Sequence, residues 1–119
     1  MTSRVIAVVK DLFFVARIRE TARMVGTPLA VVRTADELAA SLGAGPAGLV
    51  IVDLTTPGGD YDGIFSTLEA QDPRPPVLGY TTHVLAAHTK PLHARCRRVV
   101  TKDTLTRELG DILKDGLAA

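Results

Sequence analysis

The feature that most constrains this chain is a fivefold alternation between short apolar runs and amphipathic stretches with helical spacing. The apolar runs fall at 4–9, 29–32, 48–53, 77–80 and 99–100. The third run is β-branched and unbroken up to Asp53, which is typical of a strand buried on both faces of a sheet. A regular order of strand then helix predicts a parallel sheet with helices on both faces and right-handed crossovers. We therefore predict an α/β fold that forms one domain over residues 1–119.

The predicted topology also indicates where functional side chains gather. We expect the flavodoxin-like strand order 2-1-3-4-5, which places strands one and three side by side in a doubly wound, five-stranded sheet. Ligands of such sheets bind at the carboxyl ends of the strands. The residues at those ends are Lys10, Asp11, Asp53, Thr81 and Lys102. We predict one crevice lined by these side chains.

Asp53 is the first candidate for a functional residue. It ends a buried strand, and the Thr-Thr-Pro-Gly-Gly that follows predicts a turn. A carboxylate in this place would be held at the mouth of the crevice by a rigid element. The sequence leaves open whether Asp53 is functional or only caps the turn, as aspartate often does.

Local signals predict where the helices begin and end. Gly26 follows an apolar stripe and suits a helix end. Thr34 and Glu37 have the spacing of a capping box. Pro91 interrupts the stretch 84–95, so we predict that the fourth helix is short, bent or late in starting.

Composition narrows the function classes. Lys and Arg number 14 against 13 Asp and Glu, so the bulk charge indicates no particular partner. Cys96 is the only cysteine, which excludes an internal disulfide and fits a reducing compartment. No apolar run approaches the length of a membrane span, and the start lacks a signal-peptide pattern. We expect a cytoplasmic protein without membrane contact.

In their order and spacing, the strand-end residues resemble those of the receiver domain of bacterial response regulators. The resemblance covers nearly the whole chain. Asp53, in Val-Asp-Leu-Thr-Thr-Pro-Gly-Gly-Asp, matches the phosphoacceptor and its proline-containing loop. Thr81, in Pro-Val-Leu-Gly-Tyr-Thr, matches the switch hydroxyl, and Lys102, in Val-Val-Thr-Lys-Asp, matches the lysine after the fifth strand.

The resemblance implies a chemistry for each of these residues. The Asp53 carboxylate would be the nucleophile that takes a phosphoryl group, and Lys102 would balance the charge of a phosphoryl oxygen. The Thr81 hydroxyl would bind another oxygen and report phosphorylation to the surface. An acidic pair after the first strand would hold Mg²⁺, which offsets charge on the transferring oxygens. Here Asp11 and Asp53 are the candidate ligands, while Asp11 could instead cap the first helix.

Two departures from the receiver pattern are visible. Receivers show an acidic pair where this chain has Lys10 and Asp11, so one metal carboxylate is replaced by a cation. We predict weakened Mg²⁺ binding, with the Lys10 ammonium reaching towards Asp11 and Asp53. Receivers also tend to carry an aromatic switch residue on the fifth strand, where this chain offers only Arg98 and Val99.

These departures favour an atypical receiver, a pseudo-receiver. We expect a stand-alone protein-interaction module of bacterial signal transduction rather than an enzyme, with a histidine kinase or a downstream signalling protein as partner. The first alternative is a working receiver phosphorylated on Asp53 in a two-component phosphorelay. The second is a small-ligand-binding, flavodoxin-like domain that uses the same crevice.

Several other residues suggest sites more weakly. His83, His88 and His93 are five residues apart, so they do not share one helix face and a metal site is not expected. The stretch 83–102 has five cations and no acid, which we take as a candidate partner-facing surface. Without interleaved aromatics or a recognition-helix motif, it is not expected to bind nucleic acid alone. Tyr61 and Tyr80 are interpreted as packing residues.

Overall fold

The computed structural model describes residues 4–117, which form five strands alternating with five helices. The strands are β1 Val5–Val8, β2 Leu29–Val32, β3 Leu49–Asp53, β4 Val77–Thr81 and β5 Arg98–Thr101. The helices are α1 Leu12–Val25, α2 Ala35–Gly43, α3 Tyr61–Glu69, α4 Ala86–His93 and α5 Lys102–Asp115. All strand pairs are parallel and their order is β2-β1-β3-β4-β5. The predicted fold class and strand order are confirmed.

The sheet is covered on both faces, and each face has its own apolar core. On one face, α1 and α5 pack against residues such as Ile51 and Leu78. On the other face, α2 and α3 pack against Val50 and Val52, and α4 adds Leu92 at the margin. Because both faces are buried, β3 and β4 are buried along their whole length. Full burial of one large aliphatic side chain contributes about 1.5–3 kcal/mol, so the two cores hold the strand ends rigidly in place.

Gly79 shows how closely the second core is packed around β4. A Cβ atom at this position would lie 2.8 Å from Cys96 Sγ and 2.9 Å from Leu54 Cδ1. Any larger residue would push both side chains away from the sheet. Burial also raises the pKa of the Cys96 thiol to about 11, so it stays protonated and serves as a packing residue at neutral pH.

The predicted helix signals are found in the structure. Gly26 ends α1 in the left-handed conformation, with φ of 75°. Thr34 caps α2 by accepting from the Glu37 N–H, while the Glu37 carboxylate accepts from the Arg33 N–H, one residue before the usual place. The fourth helix starts late, at Ala86, and is short, as predicted, and Pro91 lies inside it.

The strand register brings β3 and β4 together at the carboxyl edge of the sheet. Asp53 lies beside Tyr80, and Thr81 is one residue further along. Within the described part of the chain, no helix is long and apolar enough to cross a membrane.

Candidate functional site

Asp53 is a buried carboxylate with one oxygen held and the other open. Only 8% of the residue is exposed. Its Oδ1 accepts hydrogen bonds from the Thr55 N–H at 2.8 Å and from the Thr55 hydroxyl at 2.6 Å. Within residues 4–117, no side chain or backbone group donates a hydrogen bond to Oδ2. This oxygen is not fully buried, so it can be reached from solvent. Asp53 therefore caps the turn with one oxygen and keeps the other free for chemistry.

The loop after β3 is tied to Asp53 by Tyr61. The Tyr61 hydroxyl donates to the Asp53 carbonyl at 2.8 Å and accepts from the Thr56 N–H at 2.9 Å. Burial raises the pKa of the Tyr61 phenol, so it stays a neutral donor. Tyr61 was interpreted as a packing residue, but its hydroxyl also fixes the backbone on which the carboxylate sits.

Asp11 and Lys102 form an ion pair at the same edge of the sheet. Lys102 Nζ lies 3.2 Å from Asp11 Oδ2, and both side chains are 39% exposed. Asp11 Oδ1 accepts from the N–H groups of Phe13 and Phe14 and so caps α1. The hydrogen bond from Lys102, followed by that from Phe14, lowers the pKa of Asp11. The two roles considered for Asp11, helix cap and site residue, are thus both compatible with its position.

Lys10 lies at the predicted crevice beside Asp53, but it does not form the predicted contact with Asp11. Among residues 4–117, no ion pair within 4.0 Å includes Lys10, and its side chain is exposed. It faces a cleft shared with Asp53 on the side of the sheet that carries α2 and α3. The cation that meets Asp11 is Lys102, which arrives from the start of α5. The physical reason is the alternation of side chains along the extended backbone, which sends neighbouring residues 10 and 11 to opposite sides.

The cleft beside Lys10 has a volume of about 230 Å³ and is also lined by Arg33 and the start of α3. Ligand pockets usually hold about 300–1,000 Å³. Asp36 and Asp60 offset the two cations at its rim. The expectation of a small-ligand domain therefore gains little support from this cleft.

Thr81 is the start of a polar chain that the sequence reasoning missed. Its Oγ1 lies 2.9 Å from Thr89 Oγ1, and Thr89 Oγ1 lies 2.8 Å from His93 Nε2. Thr89 is 1% exposed and Thr81 is 4% exposed. A threonine four residues before a histidine on a predicted helix was the available signal, since such residues share a face.

Tyr80 completes the buried surroundings of Asp53. Its ring packs against Phe14 with centroids 5.1 Å apart. Its hydroxyl is the one buried side-chain polar atom without a hydrogen-bond partner in the described part of the chain. Burial, and then the nearby Asp53 charge, raise the pKa of Tyr80 well above its usual range. The phenol is therefore neutral and close to the carboxylate without an aligned hydrogen bond.

The basic stretch 83–102 is partly neutralised by acids from other elements. Arg95 pairs with Glu69 at 2.9 Å and with Asp62 at 3.1 Å, both on α3. Arg98 lies 3.6 Å from Glu108 on α5. The expectation of a partner-facing surface rested on the absence of acids from the local sequence, and these pairings show that acids from α3 and α5 lie beside it. Of its arginines, Arg97 alone makes no ion pair with any described residue.

Few side chains at this edge of the sheet are available as metal ligands. Residues 4–117 contain no group of three or more histidine, cysteine or acidic side chains placed to bind one ion. Mg²⁺ is usually bound by one or two carboxylates together with water and phosphate oxygens. Asp11 and Asp53 meet that minimum, although Asp11 is already bonded to Lys102.

Comparison with known proteins identifies the fold class. No protein-family model matches the chain, and no curated protein matches it significantly. Solved structures do match over nearly the whole length. The chemotaxis response regulator CheY4 of Vibrio cholerae superposes with a TM-score of 0.78 at 17% identity, covering 98% of this chain and 100% of that one.

Two further structures give the same result. A response regulator receiver protein from Burkholderia phymatum has a TM-score of 0.73 at 26% identity, covering 98% of both chains. The receiver domain of a sensor histidine kinase from Pseudomonas aeruginosa has a TM-score of 0.77 at 19% identity, covering 96% of both chains. That structure has a magnesium ion coordinated in its active-site cleft. The chain therefore has the fold of response regulator receiver domains.

Proposed function

We propose that this protein is a receiver-type module of bacterial signal transduction that accepts a phosphoryl group on Asp53. The observation that carries the proposal is the state of that carboxylate, buried at a strand end with Oδ1 held by Thr55 and Oδ2 open. The receiver fold shared with response regulators supports the same class of function. A histidine kinase would supply the phosphoryl group, and a partner protein would read the result.

The chain's own residues account for each part of such a transfer. Asp53 Oδ2 attacks phosphorus, the bond from phosphorus to the donor breaks, and an acyl phosphate remains on the carboxylate. Thr55 keeps Oδ1 in place, so the attacking oxygen has a fixed direction. Lys102 brings a positive charge to the same edge of the sheet, and Thr81 brings a hydroxyl. Placement and charge balance supply most of the rate in reactions of this type.

Asp11 and Asp53 would hold a Mg²⁺ ion, which would offset the negative charge on the phosphoryl oxygens. Asp11 must give up its bond to Lys102 for this, because a carboxylate oxygen cannot serve the ammonium and the metal equally well. We therefore expect weaker Mg²⁺ binding than at a site with three carboxylates. The released ammonium would be available to the phosphoryl group.

The test is incubation with acetyl phosphate and Mg²⁺, read by intact mass. We expect the protein to gain the mass of one phosphoryl group. Asp53→Asn should gain none, because an amide oxygen is not a nucleophile for this reaction. No mass gain in the wild-type protein over hours at high acetyl phosphate would contradict the phosphoacceptor proposal.

A pseudo-receiver is the second candidate, and the donor set favours it. The candidate metal ligands are only Asp11 and Asp53, and Asp11 is engaged by Lys102. Under this alternative, the protein would contact its partner without phosphorylation. Partner binding by wild type and by Asp53→Asn, with and without acetyl phosphate, distinguishes the two. Equal binding in all four samples would support the pseudo-receiver.

A further inference from the structure

We propose that Thr89 and His93 are positioning residues for the Asp53 site, because they orient the Thr81 hydroxyl through a chain of hydrogen bonds. This inference rests on the proposed function, in which an oxyanion at Asp53 receives a hydrogen bond from Thr81. Under this inference, α4 takes part in phosphoryl recognition, although it is far from Asp53 in the sequence.

The chain of contacts runs from the mouth of the site into α4. Thr81 Oγ1 and Thr89 Oγ1 are 2.9 Å apart, and Thr89 Oγ1 and His93 Nε2 are 2.8 Å apart. The carbonyl of Ala86 lies 3.3 Å from the same Thr89 oxygen. Thr89 is almost completely buried, so water has little access to its contact with Thr81, while His93 is half-buried. A buried hydroxyl with three close neighbours is tightly constrained in direction.

Counting protons gives two arrangements that use both the Thr81 and the His93 contacts; in a third, Thr89 donates to the Ala86 carbonyl, which at 3.3 Å is the longest of the three contacts. The Thr89 hydroxyl has one proton and can donate it to only one neighbour. If His93 Nε2 carries no proton, Thr89 donates to it and Thr81 donates to Thr89. If His93 Nε2 carries a proton, His93 donates to Thr89, and Thr89 donates to Thr81. In the second arrangement Thr81 accepts from Thr89, so its hydroxyl is oriented by that bond and its own proton is directed away from Thr89 and available to an oxyanion at Asp53.

The consequence is a coupling between Asp53 and His93. An oxyanion at Asp53 that needs the Thr81 proton stabilises the arrangement in which His93 Nε2 is protonated. Because such coupling is reciprocal, a side chain that donates from the position of Nε2 strengthens oxyanion binding. A hydroxyl that accepts a hydrogen bond is also a better donor, which adds to the effect.

The strand that carries the aromatic residue in the receiver pattern offers no competing route here. Val99 packs in the core that α2 and α3 cover, and Arg98 pairs with Glu108 on α5. Neither side chain hydrogen-bonds to Thr81. The polar side chain that contacts Thr81 is Thr89, on α4.

The experiment uses two isosteric replacements of histidine. Glutamine places its amide nitrogen near the position of Nε2, whereas asparagine places its amide near Nδ1. The probe is beryllofluoride, a stable analogue of a phosphoryl group. Its binding is measured by calorimetry in the presence of saturating Mg²⁺. His93→Gln should bind nearly as the wild type does. His93→Asn and Thr89→Val should bind about fivefold more weakly, the effect of one ordinary hydrogen bond.

A second readout reports on the hydrogen bonds themselves. Nitrogen NMR of the labelled protein distinguishes protonated from unprotonated Nε2 of His93. Saturation with beryllofluoride should increase the protonated fraction at His93 in the wild type but not in Thr81→Val. His88→Gln is the matched control, since His88 is exposed on the same helix and its side chain makes no hydrogen bond to the described residues.

The outcomes separate this inference from the function on which it rests. If the wild type does not bind beryllofluoride, both the phosphoacceptor proposal and the positioning role of Thr89 and His93 are wrong. If the wild type binds it but His93→Asn and His93→Gln bind equally, with the protonation of His93 Nε2 unchanged on saturation, only the positioning role is overturned. Weaker binding by His93→Asn and Thr89→Val, with His93→Gln and His88→Gln unaffected, supports it.

Discussion

The two flanks of Asp53 are built from different kinds of interaction. On the side of α1 and α5, Asp11 and Lys102 form an ion pair in which both side chains are 39% exposed. On the side of α4, Thr81, Thr89 and His93 form a hydrogen-bonded chain whose central hydroxyl is buried, and we call it the neutral flank because none of these side chains is in an ion pair with a described residue. The ion pair is open to solvent ions, whereas the Thr81–Thr89 contact is buried.

This difference indicates a division of labour within the site. An exposed ion pair contributes about 0–1 kcal/mol to stability, so breaking it to admit a metal or a phosphoryl group costs little. A buried polar group that loses its partner costs about 1–3 kcal/mol. The charged flank is therefore suited to binding and release. The neutral flank is suited to keeping a defined hydrogen-bond direction.

The largest expected effect comes from breaking the neutral flank. Thr89→Val keeps the shape of the side chain but leaves Thr81 and His93 without their common partner. We expect a loss of about 1–3 kcal/mol in the free energy of unfolding. Urea unfolding followed by circular dichroism measures it. Thr106→Val is a suitable control, because the Thr106 hydroxyl bonds only to the Lys102 carbonyl within its own helix. Equal losses of unfolding free energy in the two variants would show that the buried chain through Thr89 is no more important for stability than a hydrogen bond within one helix.

The fold was predictable because every level of the sequence agreed with it. The buried runs, the Gly26 and Thr34 helix signals and the strand-helix order all indicated the same doubly wound sheet. Those rules depend on periodicity and on single residues. They do not depend on side-chain direction in loops.

The site was less predictable for that reason. Topology placed Asp53, Thr81 and Lys102 at one edge, but it could not decide that Lys102 rather than Lys10 meets Asp11. That choice depends on how the chain leaves β1 and how α5 begins. Likewise, packing predicted the burial of Tyr80 but not that its hydroxyl would lack a partner.

The next largest effect should be an increase in stability, in the variant Tyr80→Phe. Tyr80→Phe removes the unpartnered hydroxyl and keeps the ring that packs on Phe14, so we expect a gain of about 1 kcal/mol in stability. Tyr61→Phe is the matched control, because its hydroxyl makes two hydrogen bonds to the backbone and its loss should destabilise. Destabilisation by Tyr80→Phe would show that its hydroxyl is bonded to Asp53 in solution.

The same phenol gives a pH dependence. Burial and the Asp53 charge raise the pKa of Tyr80 in the folded state, while the unfolded side chain ionises near pH 10. Above about pH 10 the unfolded state has lost a proton that the folded state keeps, so stability falls as pH rises. Unfolding midpoints in urea between neutral pH and pH 11 should fall less steeply in Tyr80→Phe than in the wild type.

A smaller effect is expected for metal binding on the charged flank. Lys10→Asp adds a carboxylate at the position that the receiver pattern makes acidic, and Lys102→Met removes the competitor for Asp11. We expect Mg²⁺ affinity to rise in both, by about two- to fivefold for Lys102→Met, which corresponds to the strength of an exposed ion pair. Calorimetric titration in one buffer and salt measures both variants. Unchanged affinity in Lys10→Asp would mean that a carboxylate at residue 10 does not reach a metal held by Asp11 and Asp53, although residue 10 lines the same cleft as Asp53.

The smallest expected effect is on the stability of Lys102→Met itself. Methionine keeps an apolar stem near Phe14, whose ring lies 4.8 Å from Lys102 Nζ, and removes only the charge. We expect the free energy of unfolding to change by less than about 1 kcal/mol, because the pair with Asp11 is open to solvent and screened by salt. Lys102 lowers the pKa of Asp11 in the folded state, so the pair stabilises the fold above the unfolded pKa and that contribution disappears as pH falls. Carboxyl NMR titration should therefore show the pKa of Asp11 rising in the variant, while the N–H groups of Phe13 and Phe14 still hold it below its usual value. A stability loss as large as that of Thr89→Val would erase the contrast between the two flanks, since it would mean that the exposed charged pair constrains the fold as strongly as the buried neutral chain.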